Sequence, residues 1–306
     1  MSQVEQQNPG SVRSGLLMGI GGYLIWGLVP IYYHQIEKFP AGIVLCHRIV
    51  WSFVLSWILL IILGRRQGIV AALRSRKTMG VLCLSTMLLA CNWFTFIYTI
   101  DRGQIMQAAI GYFILPLVTC ALGMVFLKER LRRLQTISVV IAAVGVLVLI
   151  IGLHQVPTVA LILAFAFGFY GLVRKISPVG PMVGTGLETT LMAPIALIGL
   201  FTPAGRDTLH QGIGVLTLLM CAGFVTVVPL VMFTTAARRL RLTSLSFCQY
   251  VGPTCQLMTA LFYGEAFTRV HQISFGLIWT ALALYSFDSW RAGRNAVLTE
   301  AALEPE

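Results

Sequence analysis

Charge is the scarcest property of this 306-residue chain: 11% of its residues are charged, where a soluble domain carries roughly 25%. So few charges cannot clothe a water-facing surface. Acidic groups are the rarer sign, 11 against 22 lysines and arginines, which leaves a net charge of +11. The sequence also lacks the short signatures of catalysis. It has no G-x-S-x-G elbow, no phosphate-cradling glycine loop, no paired aspartates in its apolar stretches and no H-E-x-x-H spacing. An intramembrane enzyme, a built-in ATPase and a metal centre therefore have no residues to rest on, and no cofactor is expected. The seven cysteines, Cys46, Cys83, Cys91, Cys120, Cys221, Cys248 and Cys255, contain no C-x-x-C and no pairing spacing. They read as small packing residues.

Apolar sequence, by contrast, is abundant. Hydrophobic residues make up 57% of the chain, and a helix crossing a hydrocarbon core of about 30 Å needs about 20 mostly apolar residues. Ten stretches qualify, at about 15–34, 41–63, 79–99, 105–127, 134–153, 157–174, 181–202, 212–236, 243–263 and 270–290. The first is too long for a signal-peptide core and lacks an A-x-A-like end, so it should remain as a span. Backbone in lipid must satisfy its own hydrogen bonds, which leaves helices or a closed strand barrel. Barrel strands alternate apolar and polar residues, whereas 137–153 is continuously apolar. The expectation is an all-α polytopic membrane protein with ten transmembrane helices.

Lysines and arginines mark the two sides of the bilayer. Arg13, the Arg65 to Lys77 group, the Lys128 to Arg133 group, Arg174 with Lys175, Arg238 to Arg241, and Arg291 with Arg294 fall on one side. Only Lys38, Arg102, Arg206 and Arg269 fall opposite. The positive-inside bias then puts both termini in the cytoplasm. The same scatter of basic residues among short loops argues against nucleic-acid binding, which calls for a continuous basic patch; attraction to anionic lipid heads is the remaining effect.

The chain also repeats itself. Trp26-Gly27-Leu28-Val29 corresponds to Tyr170-Gly171-Leu172-Val173, Leu45-Cys46-His47-Arg48 to Thr185-Gly186-Leu187-Glu188, and Leu127-Lys128-Glu129-Arg130 to Tyr263-Gly264-Glu265-Ala266. Phe96 matches Phe233 and Pro116 matches Pro253, both 137 residues apart. Five spans in each half is an odd number, so the halves enter from opposite faces as two inverted five-helix repeats. The boundaries read as a tail at 1–14, repeats at 15–153 and 154–290, and a second cytoplasmic tail at 291–306. Inverted repeats suit alternating access to a central site. A channel or a non-transporting sensor is the rival reading, since some channels are built from repeats too.

Several segments carry a family resemblance over nearly the whole chain: Tyr23 to Pro30, His47-Arg48 with Trp51-Ser52, Asn92-Trp93, Ile110 to Pro116, Phe169 to Lys175, Thr226 to Pro229, Arg239 to Leu242 and Gln249 to Thr254. As an ordered set they resemble the RarD group within the EamA branch of the drug/metabolite transporter superfamily. The resemblance implies a ten-helix carrier in the bacterial inner membrane, moving small organic metabolites or drugs, often outward. It also implies that helices one, three, four, six, eight and nine line the path, which brings in Trp26 and Tyr170.

Within the spans, Arg48, His47 and Glu188 stand out as ionisable groups set deep in apolar sequence. A charge at such a depth costs about 2.5–3.5 kcal/mol and calls for a partner. Arg48 is expected either to hold an anionic substrate group or gate against Glu188, or else to be an anchor on backbone carbonyls. Glu188 is a candidate proton carrier, with a fixed hydrogen-bonding group near its helix start as the plainer alternative. His47 is expected to be neutral and hydrogen-bonded. Asn92, Trp93 and Phe96 on the third span, Tyr112 before Pro116, and Gln249 with Tyr250 before Pro253 are candidates for a pocket of aromatic faces and a few polar groups. The two prolines, beside Gly111 and Gly252, are hinge candidates. Glu129, Glu265 and Asp288 are expected at the interface, as caps or salt bridges.

Overall fold

The computed structural model describes residues 9–102, 105–152, 158–262 and 268–301, with side chains for 10–99, 102, 108–152, 158–259, 261–262 and 268–292. Every regular element among the described residues is helical. In order they are α1 (Pro9–His34), α2 (Ala41–Ile62), α3 (Arg66–Arg74), α4 (Arg76–Asp101), α5 (Ile105–Phe126), α6 (Arg133–Gly152), α7 (Thr158–Ile176), α8 (Pro181–Leu200), α9 (Pro203–Leu209), α10 (Ile213–Arg239), α11 (Leu242–Gln249), α12 (Val251–Phe262) and α13 (Arg269–Ala301). Prolines fix several starts, because their preset φ suits a first turn that needs no N–H. Pro40 precedes α2, Pro181 opens α8, and Pro203 opens α9, where the Thr202 hydroxyl accepts from the Gly205 N–H at 3.3 Å.

Nine helices among the described residues are long and apolar enough to cross a membrane: α1, α2, α4 to α8, α10 and α13. Their outer faces leave bulky side chains uncovered, Ile61 at 74% and Ile195 at 77%. Water would not tolerate this periphery, whereas lipid tails match it. The ninth expected stretch, 243–263, is instead two shorter helices, α11 and α12, that meet at Tyr250. Pro253 supplies the physical reason: it has no N–H, and its ring crowds the carbonyl four residues back, on Gln249. Pro116 lies inside α5, which runs through it unbroken.

Packing follows a pattern of exchange. α1 packs on α10, α11 and α12, as α7 packs on α4 and α5; α2 packs on α10, as α8 packs on α4. Three pairs map onto themselves, α2 with α8, α5 with α11, and α6 with α13. The satellite clusters follow the same rule. Val179, Val183 and Leu82 meet at one end of the bundle, and Ile36, Val44 and Leu219 at the other. Leu82 and Leu219 stand at the separation of 137 already noted for Phe96 and Phe233.

One crossing tolerates no added atom. A methyl on Gly223 of α10 would lie 2.6 Å from the backbone carbon and oxygen of Trp51 on α2. Backbone cannot swing away as a side chain can. Gly223→Ala is therefore expected to push α2 and α10 apart and cost about 1–3 kcal/mol, read as a lower unfolding midpoint in detergent; an unchanged midpoint would show that the crossing is loose.

Candidate functional site

The basic ends of the helices gather on one face, held together by hydrogen bonds between distant segments. Lys128 adopts a left-handed φ of 54°, uncommon for a residue with a side chain. That turn delivers Glu129 to the start of α11, where its carboxylate accepts from the Leu242 N–H at 2.8 Å, the Thr243 N–H at 2.9 Å and the Thr243 hydroxyl at 2.8 Å. Here is the cap that the sequence suggested, but it caps a different helix from its own. Arg132 donates to Asp288 at 2.6 Å, Arg238 to the carbonyls of Ser177 at 2.7 Å and Val179 at 2.9 Å, and Lys175 to those of Ala237 and Leu240. Glu265 lies outside the described residues.

The α7 to α10 contact at this face has no comparable counterpart among the described residues. α7 packs on α10, whereas α1 and α4, the pair that exchange would relate to them, make no comparable contact among the described residues. The arginine-rich face is thus held together by hydrogen bonds between α7, α10 and the segment that precedes α8.

Arg48 lies two turns inside α2, on the half of the bundle away from that face. Its Nε donates to the Thr226 hydroxyl of α10 at 2.7 Å, and its guanidinium carbon sits 4.3 Å from the Trp93 ring centroid. A cation over an indole face is attracted by the ring quadrupole. Arg48 is half-buried. Tyr112 and Phe96 approach with centroids 6.3 Å apart. His47, one residue earlier, turns elsewhere: its Nε2 and the Thr208 hydroxyl of α9 share a hydrogen bond of 2.7 Å. Asn92 likewise points away, donating to the Leu163 carbonyl at 3.0 Å.

Glu188 lies two turns inside α8, on the half of the bundle nearest the arginine-rich face. The expected contact with Arg48 is not made, and the cation beside Glu188 is Arg174 of α7, whose Nε stands 3.5 Å from a carboxylate oxygen. Both side chains are buried at 0% exposure. Ser85 of α4 donates to the same carboxylate at 2.6 Å and Tyr170 of α7 at 3.1 Å. Gly184 makes room for the cation, since a methyl there would sit 2.1 Å from an Arg174 nitrogen. Arg174 reads in the sequence as an ordinary basic residue at a helix end, so the list of deep ionisable groups was one short. Its signal was the glycine at 184, which only the packing makes legible.

Between these polar centres stands an aromatic cluster. Trp26 meets Tyr23 at 5.3 Å, Phe167 at 5.6 Å and Phe233 at 6.0 Å, while Tyr170 stacks on Phe233 at 6.1 Å. Tyr23, Phe167 and Phe233 are its unforeseen members. At the break between α11 and α12, Gln249 and Tyr250 are buried at 2% each. Gln249 neighbours the Tyr23 hydroxyl, yet its amide, the Tyr23 hydroxyl and the Tyr250 hydroxyl all lack a well-formed hydrogen bond. Buried polar atoms in that condition cost about 1–3 kcal/mol each, which marks places where a bound molecule gains.

Comparisons with known proteins agree with this architecture. Residues 13–151 match the family described as the EamA-like transporter family. The chain is 42% identical to an uncharacterized transporter of Vibrio cholerae over 93% of its own length and 95% of the other's. It is 41% identical to protein RarD of Escherichia coli over 90% and 95% respectively. A solved structure at 16% identity, with a TM-score of 0.68 over 89% of this chain and 97% of that one, shares the fold. This multi-pass membrane protein therefore belongs, with the RarD proteins, to the EamA-like transporters of the drug/metabolite transporter superfamily.

Proposed function

We propose that the protein is a secondary carrier that moves small organic metabolites or drugs, amino-acid-like or aromatic in character, by alternating access between two inverted five-crossing repeats. The observation that carries this reading is the uneven packing: α7 rests on α10, and among the described residues α1 and α4 make no comparable contact. Two like halves inserted in opposite senses can exchange such unequal conformations and so present one site to either side in turn. A static pore has no use for the imbalance. The exchange pattern of packing supports repeats at 15–153 and 154–290, with α11 and α12 together making the ninth crossing.

By the positive-inside bias the sealed face is cytoplasmic, as are both termini, and the bilayer is the bacterial inner membrane. The conformation is then outward-open. Arg48 holds an anionic group of the substrate, with Trp26, Trp93, Phe96 and Tyr112 receiving its flat or apolar part and Gln249 and Tyr250 supplying hydrogen bonds. Pro116 and Pro253 are the hinges, the second already broken at Tyr250. Glu188 carries the coupling proton, and transport runs outward.

Untargeted profiling of metabolites inside and outside cells with and without the protein identifies the substrate; the expected result is a small organic acid or zwitterion that accumulates inside when the protein is absent. In vesicles, uptake of that compound should saturate and show counterflow, whereas flux linear in concentration would mean a pore. Glu188→Gln should lose acceleration by an imposed pH gradient while keeping counterflow. Full gradient dependence in that variant would remove Glu188 from the role.

A further inference from the structure

Val44, Arg48, Ser52, Ser56 and Leu60 follow one another along α2 at intervals of four, so each lies about one turn from the next. Aliphatic residues close the ends of this series and polar ones fill its middle. Helical serines and threonines usually satisfy themselves on a carbonyl three or four residues back, as Thr86, Thr189 and Thr226 do here. Ser52 and Ser56 do not. Both are at 0% exposure and neither hydroxyl has a partner.

Across from them, Ser56 is close enough to α8 that a methyl on Gly186 would lie 3.7 Å from its Cβ. Thr185, three residues before Glu188, is also at 0% exposure with an unpartnered hydroxyl. Arg174, whose Nη2 donates to the carbonyls of Pro181 at 3.2 Å and Gly180 at 3.4 Å, has a buried Nη1 that donates to nothing. Ser52 and Ser56 lie one and two turns beyond Arg48 on α2, Ser56 at the contact with α8, and Thr185 lies one turn before Glu188 on α8. Left dry, each such group is destabilising, whereas a buried water typically makes about three hydrogen bonds to groups of this kind.

We propose that Ser52, Ser56 and Thr185 bind a file of buried water joining the Arg48 site to Glu188, and that this seam is the route by which Glu188 exchanges its proton with the substrate path. The inference rests on the reading of Glu188 as the proton carrier. In the uptake step an O–H bond forms on the Glu188 carboxylate as one breaks on the adjoining water, each hydroxyl along the seam accepts a proton on one side and donates one on the other, and the vestibule supplies the proton consumed. The Arg174–Glu188 pair passes from neutral to a net single positive charge. The groups facing Glu188 are Arg174 and Tyr170 from α7 and Ser85 from α4, while Ser56 of α2 lies beside Gly186 and Arg238 of α10 is the next cation near Arg174.

Two measurements test it. On a background with the native cysteines replaced, Ser52→Cys and Ser56→Cys should react with a small water-soluble methanethiosulfonate, while Ile58→Cys and Ile61→Cys, on the lipid-facing side, should not. Equal inertness at all four positions would overturn the hydrated seam. Second, infrared difference spectra of the purified protein on acidification should show a protonated-carboxyl band that Glu188→Gln removes. On transfer to D₂O that band should shift at once in the wild type and about a hundredfold more slowly in Ser52→Val/Ser56→Val, as expected when a positioned proton relay is lost. A band that shifts at the wild-type rate in the variant would overturn the seam while leaving Glu188 as carrier. A band that never appears would overturn both.

Discussion

Arg174→Met is expected to destabilise the protein by about 3–5 kcal/mol, because it strands a carboxylate that is fully buried. The desolvation that the ion pair offsets would then fall on Glu188 alone, with Ser85 and Tyr170 as its remaining donors. Thermal unfolding of the detergent-purified protein reads the loss directly. Arg174→Met/Glu188→Met should recover most of it, since apolar replacement of a whole buried pair is often neutral or favourable. Recovery of stability with loss of gradient-driven transport would assign the pair to function. A single variant that melts like the wild type would mean that the two side chains part company in the membrane.

The second large effect is at Arg48. Arg48→Gln removes a charged donor worth about 1.5–3 kcal/mol to an anionic ligand, so the apparent affinity for a carboxylate-bearing substrate should fall by roughly 10- to 150-fold. Arg48→Lys should lie between the two, because an ammonium keeps the charge but not the planar face that rests on Trp93. Uncharged substrates should be little affected. Wild-type affinity for the anion in Arg48→Gln would reduce Arg48 to an anchor on Thr226.

The separation of Arg48 from Glu188 shows where linear reading stops. The two occupy matching positions, each two turns inside its helix, and their alignment in the sequence invites a direct pair. In the proposed arrangement, with halves entering from opposite faces, matching positions fall at opposite depths. α2 starts away from the arginine-rich face and α8 starts beside it, so each side chain finds a partner on its own level: Thr226 and Trp93 for one, Arg174, Ser85 and Tyr170 for the other.

Other differences have similarly local causes. His47 was legible as a buried, hydrogen-bonded residue, but its partner Thr208 lies on a short helix that no apolar run announces. Glu129 was legible as a cap, whereas the helix it caps lies more than a hundred residues along the chain. Gln249 and Tyr250 were drawn to attention by Pro253, and the break in the ninth stretch falls there for the reason that made the proline conspicuous.

Composition and the length of the apolar runs determined by themselves that this chain is helical and lives in a bilayer, because the hydrocarbon core fixes both the length of a span and its freedom from charge. The order of its motifs determined the family. Tertiary structure alone decided which buried charge meets which, which helix ends are tied together at the arginine-rich face, and that two buried serines on α2 lie without a partner. Those outcomes depend on how helices distant in sequence are set against one another in depth and rotation, and apolar periodicity carries no record of either.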